Sequence, residues 1–338
     1  MNRLLTLSAA AAVSAAAFSS SAAQAGPVRL YIGTYTQGTE SKGIYRADFD
    51  PETGKLTDPA LAAETPNPSF LAIAPGGQSL YAVNELGTFG GDPGGGITAF
   101  SVDAGTGALA ELNAANTGGG APCHVVVDKA GKHALVANYS GGSVAAFALK
   151  PGGALGARTA FIQHEGSSVD QRRQEAPHAH SINLDAANRF AFAADLGCDK
   201  VFAYRFDPES GALSAADPAF APVAPGAGPR HFAFHPDGTR AYVINEMHQT
   251  VTAFAYDPEM GTLAETQTIS TVRGEVPGNS TAEVQVHPSG KFVYGSNRYT
   301  TASPSSASAK AANRSGSKTN PAAAKSPATL PSTQPVTG

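Results

Sequence analysis

Pro68-Ser-Phe-Leu-Ala-Ile-Ala-Pro-Gly-Gly-Gln-Ser-Leu-Tyr-Ala-Val-Asn84 reads as strand, tight turn, strand, and the pattern recurs along the chain. It returns as Pro122-Cys-His-Val-Val-Val-Asp-Lys-Ala-Gly-Lys-His-Ala-Leu-Val-Ala-Asn138, then from Ala179 to Asp195, from Pro229 to Asn245 and from Thr281 to Asn297. First and last residues are 16 positions apart in all five segments, and successive ends are 54, 57, 50 and 52 residues apart. A second marker keeps the same beat: Thr53-Gly-Lys-Leu56, Thr106-Gly-Ala-Leu109, Gly152-Gly-Ala-Leu155, Ser210-Gly-Ala-Leu213 and Met260-Gly-Thr-Leu263. A further strand, such as Thr98–Val102 or Val201–Phe206, precedes most of these markers. Each unit therefore has room for about four short strands, the make-up of a β-propeller blade. A single blade cannot bury both of its faces, so stacked neighbours make the core. A β-sandwich also has many short strands, but it gives no reason for markers in one register five times over.

Composition agrees with an all-β chain. There are 37 Gly and 24 Pro, which punctuate turns, and the short apolar runs between them are rich in Val, Phe and Tyr. The net charge of −4 and the lack of a basic run in the folded region give no nucleic-acid footprint. Two cysteines, Cys123 and Cys198, rule out a four-cysteine zinc site and read as small buried thiols, with a disulfide left open.

The flanks differ from the middle. Met1-Asn-Arg-Leu-Leu5, an Ala-rich apolar run and Ala23-Gln-Ala25 form a secretory signal pattern, so residues 1–25 are expected to be removed and the protein exported, to the periplasm or beyond the cell. No later segment is apolar for long enough to span a bilayer as a helix. Residues 26–300 are expected to form the propeller domain. Residues 301–338 contain no aromatic and no acidic residue, and apart from Ala and Pro their aliphatic side chains are Leu330 and Val336 alone. That composition is expected to be disordered. The change falls inside a blade, which suggests an altered reading of a longer gene; a Ser/Pro-rich tail is the alternative.

Tyr31-Ile-Gly-Thr-Tyr-Thr36, Ser41-Lys-Gly-Ile-Tyr45, Pro177-His-Ala-His-Ser181, Ala194-Asp-Leu-Gly197, Gly228-Pro-Arg-His-Phe232, Asn245-Glu246 and His287-Pro-Ser-Gly-Lys-Phe292 with Ser296-Asn-Arg298 are densely similar to one family. It is that of the seven-bladed propeller lactonases, which includes bacterial 6-phosphogluconolactonase and, more distantly, carboxymuconate-lactonising enzyme. The resemblance runs over about residues 28 to 299. It implies a seven-bladed fold, of which about five blades and the start of a sixth are legible here, and a hydrolase of carboxylic esters serving carbohydrate metabolism.

The repeat also points to a site. Fifteen residues before each terminal Asn or Asp lie Ser69, Cys123, His180, Arg230 and Ala282, and one residue after it lie Glu85, Tyr139, Leu196, Glu246 and Arg298. A hairpin folds the first position back beside the second, and equivalent positions of successive blades fall at one end of the channel. His180, Arg230, Glu246 and Arg298 are therefore expected to converge, and the resemblance places the family's active-site His, Arg, Glu and Arg on the same four positions. Lactone hydrolysis needs a positioned water, a base and positive charge near the developing oxyanion. Glu246 or His180 is the expected base. Arg230 and Arg298 are expected to hold an anion or the oxyanion, with Glu85 and His178 as further substrate-binding members.

Plainer readings stand beside these. Arg230 and Glu246 can be only a cross-strand ion pair, and His180 only a hydrogen-bonded structural residue. His178-x-His180 has the alternation of a metal pair, but zinc wants three or four protein ligands and no third is marked. His235 and His287, each before Pro, read as turn punctuation. His124, His231 and Glu283 follow the inner position by one and are expected to point away from the channel by the period of two. No G-x-S-x-G elbow or Walker loop is present, and Gly94–Gly96 and Gly118–Gly120 open no helix. No cofactor or metal is expected, and the partner is a small-molecule lactone met by a monomer. A sugar-lactone hydrolase leads. Its substrate is 6-phosphogluconolactone or, since phosphorylated sugars are usually cytoplasmic, an unphosphorylated aldonolactone. A muconate-type cycloisomerase and a non-catalytic binding propeller are the alternatives.

Overall fold

Each repeated hairpin forms the inner two strands of an antiparallel sheet. The computed structural model describes residues 26–274 and 276–298, so the expected leader and tail lie outside the described residues. Within them the regular elements are all strands. Four sheets have four strands in sequence order, beginning at Leu71–Ile73, Pro122–Val127, Ala179–Leu184 and Pro229–Phe234. A three-stranded sheet, Val28–Ile32, Gly43–Phe49 and Ala60–Glu64, precedes them, and a two-stranded sheet, Thr281–Val286 and Val293–Asn297, follows. The inner strand of each repeated unit packs beside the inner strand of the next. The four-stranded, repeated sheets meet the expectation of propeller blades.

The core lies between sheets. Tyr81, Val83 and Ile97 of one blade pack on Val125, Val136 and Phe147 of the next. Leu135 and Val144 then meet Ile182 and Tyr204, and Phe192 meets Phe232, Val243 and Tyr256. Burying one such side chain fully contributes roughly 1.5–3 kcal/mol, so the blades hold one another in place.

The Asn or Asp that closes each hairpin acts as a fastener; Asn84, Asn138, Asp195 and Asn245 are buried and Asn297 is half-buried. Asn84 donates to Thr65 Oγ1 and to the Pro66 carbonyl, and accepts from Thr98 Oγ1. Asn245 donates to Thr250 and Thr252. Asp195 accepts from the backbone N–H groups of His178, Gly197 and Cys198 and faces His164 Nδ1 at 2.6 Å, whose Nε2 meets the Tyr204 hydroxyl at 2.6 Å. The second marker is a turn device. Asp207 accepts from Glu209 N–H and the Ser210 hydroxyl, and Gly211 follows at φ +72°, where a Cβ would lie 2.4 Å from His133 of the preceding blade. Only glycine suits that left-handed, crowded position. His235 is punctuation as read: its Nε2 meets the Gly290 carbonyl in the next blade at 2.8 Å. Cys123 and Cys198 are both buried and unbridged.

Replacing Asp195 by Ala strips the acceptor from the buried N–H groups of Gly197 and Cys198, the part-buried N–H of His178 and an imidazole. A loss of about 3 kcal/mol or more is expected, read as a lowered midpoint in urea denaturation.

Candidate active site at the channel mouth

The inner strands from Pro122, Ala179, Pro229 and Thr281 share one irregularity. Their pairing slips between Pro122 and His124, between Ala179 and Ser181, and between Pro229 and His231, so Cys123, His180 and Arg230 are bulge residues; the last sheet slips between Thr281 and Val284. A bulge re-aims side chains at a sheet end. Opposite it, the residue after the fastener bonds back across the hairpin: Glu246 N–H to the Gly228 carbonyl at 2.7 Å, Tyr139 to Ala121 at 2.8 Å, and Arg298 to Ser280 at 2.8 Å. Bulge and closing residue thus sit side by side at the channel mouth.

A cavity of about 270 Å³ opens there, lined by Ser69, Glu85, Cys123, Tyr139, His180, Arg230, Glu246 and Arg298 together with Tyr35, Phe70, Arg173 and His231. His180, Arg230, Glu246 and Arg298 therefore do converge. Glu85 joins them, accepting from the Tyr35 hydroxyl at 2.9 Å and the Ser69 hydroxyl at 2.5 Å. His178 lies outside the lining. Its ring stacks behind Tyr139 at 4.6 Å, and its Nδ1 meets the Tyr139 carbonyl at 3.1 Å.

The walls have opposite characters. On one, Glu246 receives Arg173 Nη2 on Oε1 at 2.7 Å and Arg230 Nε on Oε2 at 3.0 Å, with Arg298 Nη2 3.6 Å from Oε2. Three guanidiniums share one buried carboxylate, so this wall is cationic. The Arg230–Glu246 ion pair exists, but inside a cavity rather than as an isolated cross-strand contact. Across from it, Glu85, Tyr35 and Ser69 form a hydroxyl-and-carboxylate wall. Burial, with Glu85 alongside, pushes the Tyr35 phenol up to about 12. Burial likewise raises the Cys123 thiol, whose Sγ is 3.5 Å from His180 Nδ1, which argues against a thiolate nucleophile.

Four lining residues, Tyr35, Phe70, Arg173 and His231, escaped the sequence reading, and for two of them the reason is plain. Arg173 belongs to the long connection 164–178, off the repeat register; its sequence signal was the Arg172-Arg173 pair within that connection. His231 was expected to point away. Period-two alternation fails across the bulge, and His231 lines the cavity while meeting Glu283 through Nδ1. His124 faces the channel interior, its ring against Phe70 at 4.3 Å. Among the described residues no group of three or more His, Cys, Asp or Glu is arranged to hold a metal ion.

Burial depresses three neighbouring imidazoles: His124 and His180 lie well below the ordinary value, the nearby cations adding to this, and His231 lies below it even with Glu283 beside it. Unfolding restores the ordinary value of 6.5, so below that pH the unfolded chain binds protons that the folded one refuses. Stability should therefore be retained above pH 6.5 and decline as pH falls from there. Urea midpoints between pH 7.5 and 5.5 (roughly, bracketing the imidazole range) check this, and His124→Gln should flatten the slope.

A family profile described as "Lactonase, 7-bladed beta-propeller" matches residues 29–315. The chain is 36% identical over 273 residues to the 6-phosphogluconolactonase of Bacillus subtilis, spanning 79% of this chain and 74% of that protein. It is 32% identical over 273 residues to the 6-phosphogluconolactonase of Formosa agariphila, spanning 80% and 75%. Among solved structures it is similar to the periplasmic gluconolactonase of Pseudomonas aeruginosa, with a TM-score of 0.75 and 36% identity over 80% of this chain and 76% of that one.

Proposed function

The chain belongs to the lactonase family of seven-bladed β-propellers, and on that premise we propose that it hydrolyses a sugar lactone in the arginine-walled cavity at the channel mouth. The observation that carries this reading is the triple sharing of Glu246 by Arg173, Arg230 and Arg298. Hydrolysis turns the lactone carbonyl oxygen into an oxyanion, and preorganised guanidiniums stabilise charge there more than they stabilise the neutral substrate. Glu246 holds them ready. Both of its oxygens are committed to guanidinium, so it suits positioning rather than taking a proton from water. Proton transfer then falls to an imidazole of the cavity floor. Glu85, Ser69 and Tyr35 offer acceptors and donors to sugar hydroxyls.

The substrate follows from charge. Three cations on one carboxylate leave room for a second anion, which favours an aldonolactone bearing a phosphate or carboxylate, such as the 6-phosphate named for two relatives. Arg173 is the most exposed member of the group, its side chain 44% exposed against 34% for Arg298 and 14% for Arg230, and it lies on a connection anchored by the Ser168–Asp199 hydrogen bond at 2.5 Å. It is the natural one to turn from Glu246 to an incoming anion. Export to the periplasm is supported by the leader pattern of residues 1–25 and by the periplasmic solved relative.

Hydrolysis of δ-gluconolactone and its 6-phosphate above the spontaneous rate tests the assignment. Arg230→Ala should lower kcat/KM by about 10²–10³-fold on both. Arg173→Ala should raise KM for the phosphate ester about tenfold while leaving the neutral lactone little changed. No hydrolysis of either lactone by the folded chain would remove the proposal.

A further inference from the structure

We propose that His231 is the group that takes the proton from water and returns it to the ring oxygen, and that Glu283 holds His231 in the tautomer that can do so; this rests on the lactonase reading above. Three imidazole rings gather at the cavity floor, with His231 5.2 Å from His124 and 5.3 Å from His180, centre to centre. Their hydrogen-bond partners differ. His124 turns Nδ1 toward the backbone N–H of Ile182 at 3.4 Å and does not line the arginine-walled cavity. His180 turns Nδ1 toward the Cys123 thiol. Among the three, His231 is the one that faces a carboxylate, through a short Nδ1 contact to Glu283 Oε2.

The proton positions on His231 follow from its partners. An ionised carboxylate only accepts, so Nδ1 carries the hydrogen. On the other side Arg230 Nη1 lies 3.2 Å from Nε2, and a guanidinium only donates, so Nε2 presents its lone pair. Both neighbours require the same tautomer. Glu283 is itself fixed, since its Oε1 accepts from Gln285 at 2.6 Å and its N–H donates to Ser296 Oγ at 2.9 Å. Phe70, edge-on at 5.6 Å, sets the plane of the ring. A carboxylate behind a cavity-lining imidazole whose far nitrogen keeps its lone pair, here toward Arg230, is the arrangement of a general base once that donor is displaced.

Arg230 makes three contacts here: 2.7 Å to the Ala282 carbonyl, 3.0 Å to Glu246 and 3.2 Å to His231. The last is the longest, and so the one that a water entering with the lactone displaces. That water attacks the lactone carbonyl carbon and gives one proton to His231 Nε2. The carbonyl oxygen becomes an oxyanion facing the guanidiniums, and the imidazolium keeps its Nδ1–H on Glu283. Collapse of the tetrahedral intermediate breaks the bond from carbonyl carbon to ring oxygen, and the ring oxygen takes the proton from Nε2. The product is the open hydroxy acid, and the imidazole returns to its starting state.

The test uses the purified full chain with δ-gluconolactone. His231→Gln should lower kcat about 10²–10⁴-fold with KM changed little. Glu283→Gln, near-isosteric, supplies a readout that a merely structural role would not move. The groups facing His231 are Glu283, which raises its proton affinity, and Arg230, Arg298 and the imidazoles of His124 and His180. Removing the Glu283 charge should therefore shift the acid limb of the kcat–pH profile to lower pH, as well as lowering the plateau. His180→Gln should leave that limb in place. An active wild type whose His231→Gln variant keeps kcat within about threefold, far inside the range for a lost general base, overturns the assignment, as does a Glu283→Gln profile with an unmoved acid limb. A folded wild type without lactone hydrolysis overturns the lactonase reading itself, and this assignment with it.

Discussion

Strands buried along their whole length have to be covered on both faces. Ser79–Asn84, His133–Asn138 and Phe190–Asp195 each have all six residues buried, and no four-stranded sheet can do that for itself. The cover comes from the neighbouring blades, through the apolar clusters that join each sheet to the next. Everything functional follows from this constraint. Stacking side by side brings the inner strands to a common channel, and equivalent residues of successive repeats arrive at the same height around it.

The site departs from that regularity where chemistry needs it to. The bulges at Cys123, His180 and Arg230 break the alternation of the inner strands at their cavity ends. Arg230 and His231, adjacent in sequence, can then both serve the same cavity. The fasteners just behind them, Asn138, Asp195 and Asn245, are buried and hydrogen-bonded, so the bulges rest on a stiff frame. Rigid support directly under a charged cluster is what electrostatic preorganisation requires.

Glu246 illustrates how a carboxylate's neighbours set its role. By residue type alone it can be a base. Held between Arg173 and Arg230, with Arg298 nearby, it becomes the counter-charge that keeps cations together in a buried place. Glu283, one blade on, meets an imidazole instead and is suited to orienting it.

The sequence by itself determined the all-β repeat, the hairpin register, the fasteners and the positions on either side of them. Those are short-range consequences of alternation and turn chemistry, and they repeat. They sufficed to gather His180, Arg230, Glu246 and Arg298, because identical offsets in stacked blades must coincide in space. Only the tertiary structure decided that Arg173 reaches in from an irregular connection, that His231 shares the cavity with Arg230 while His178 stands behind Tyr139, and that His231 pairs with Glu283. Each of these depends on a bulge or a loop, where local backbone geometry is set by contacts with the next blade and no longer by the period of the strand.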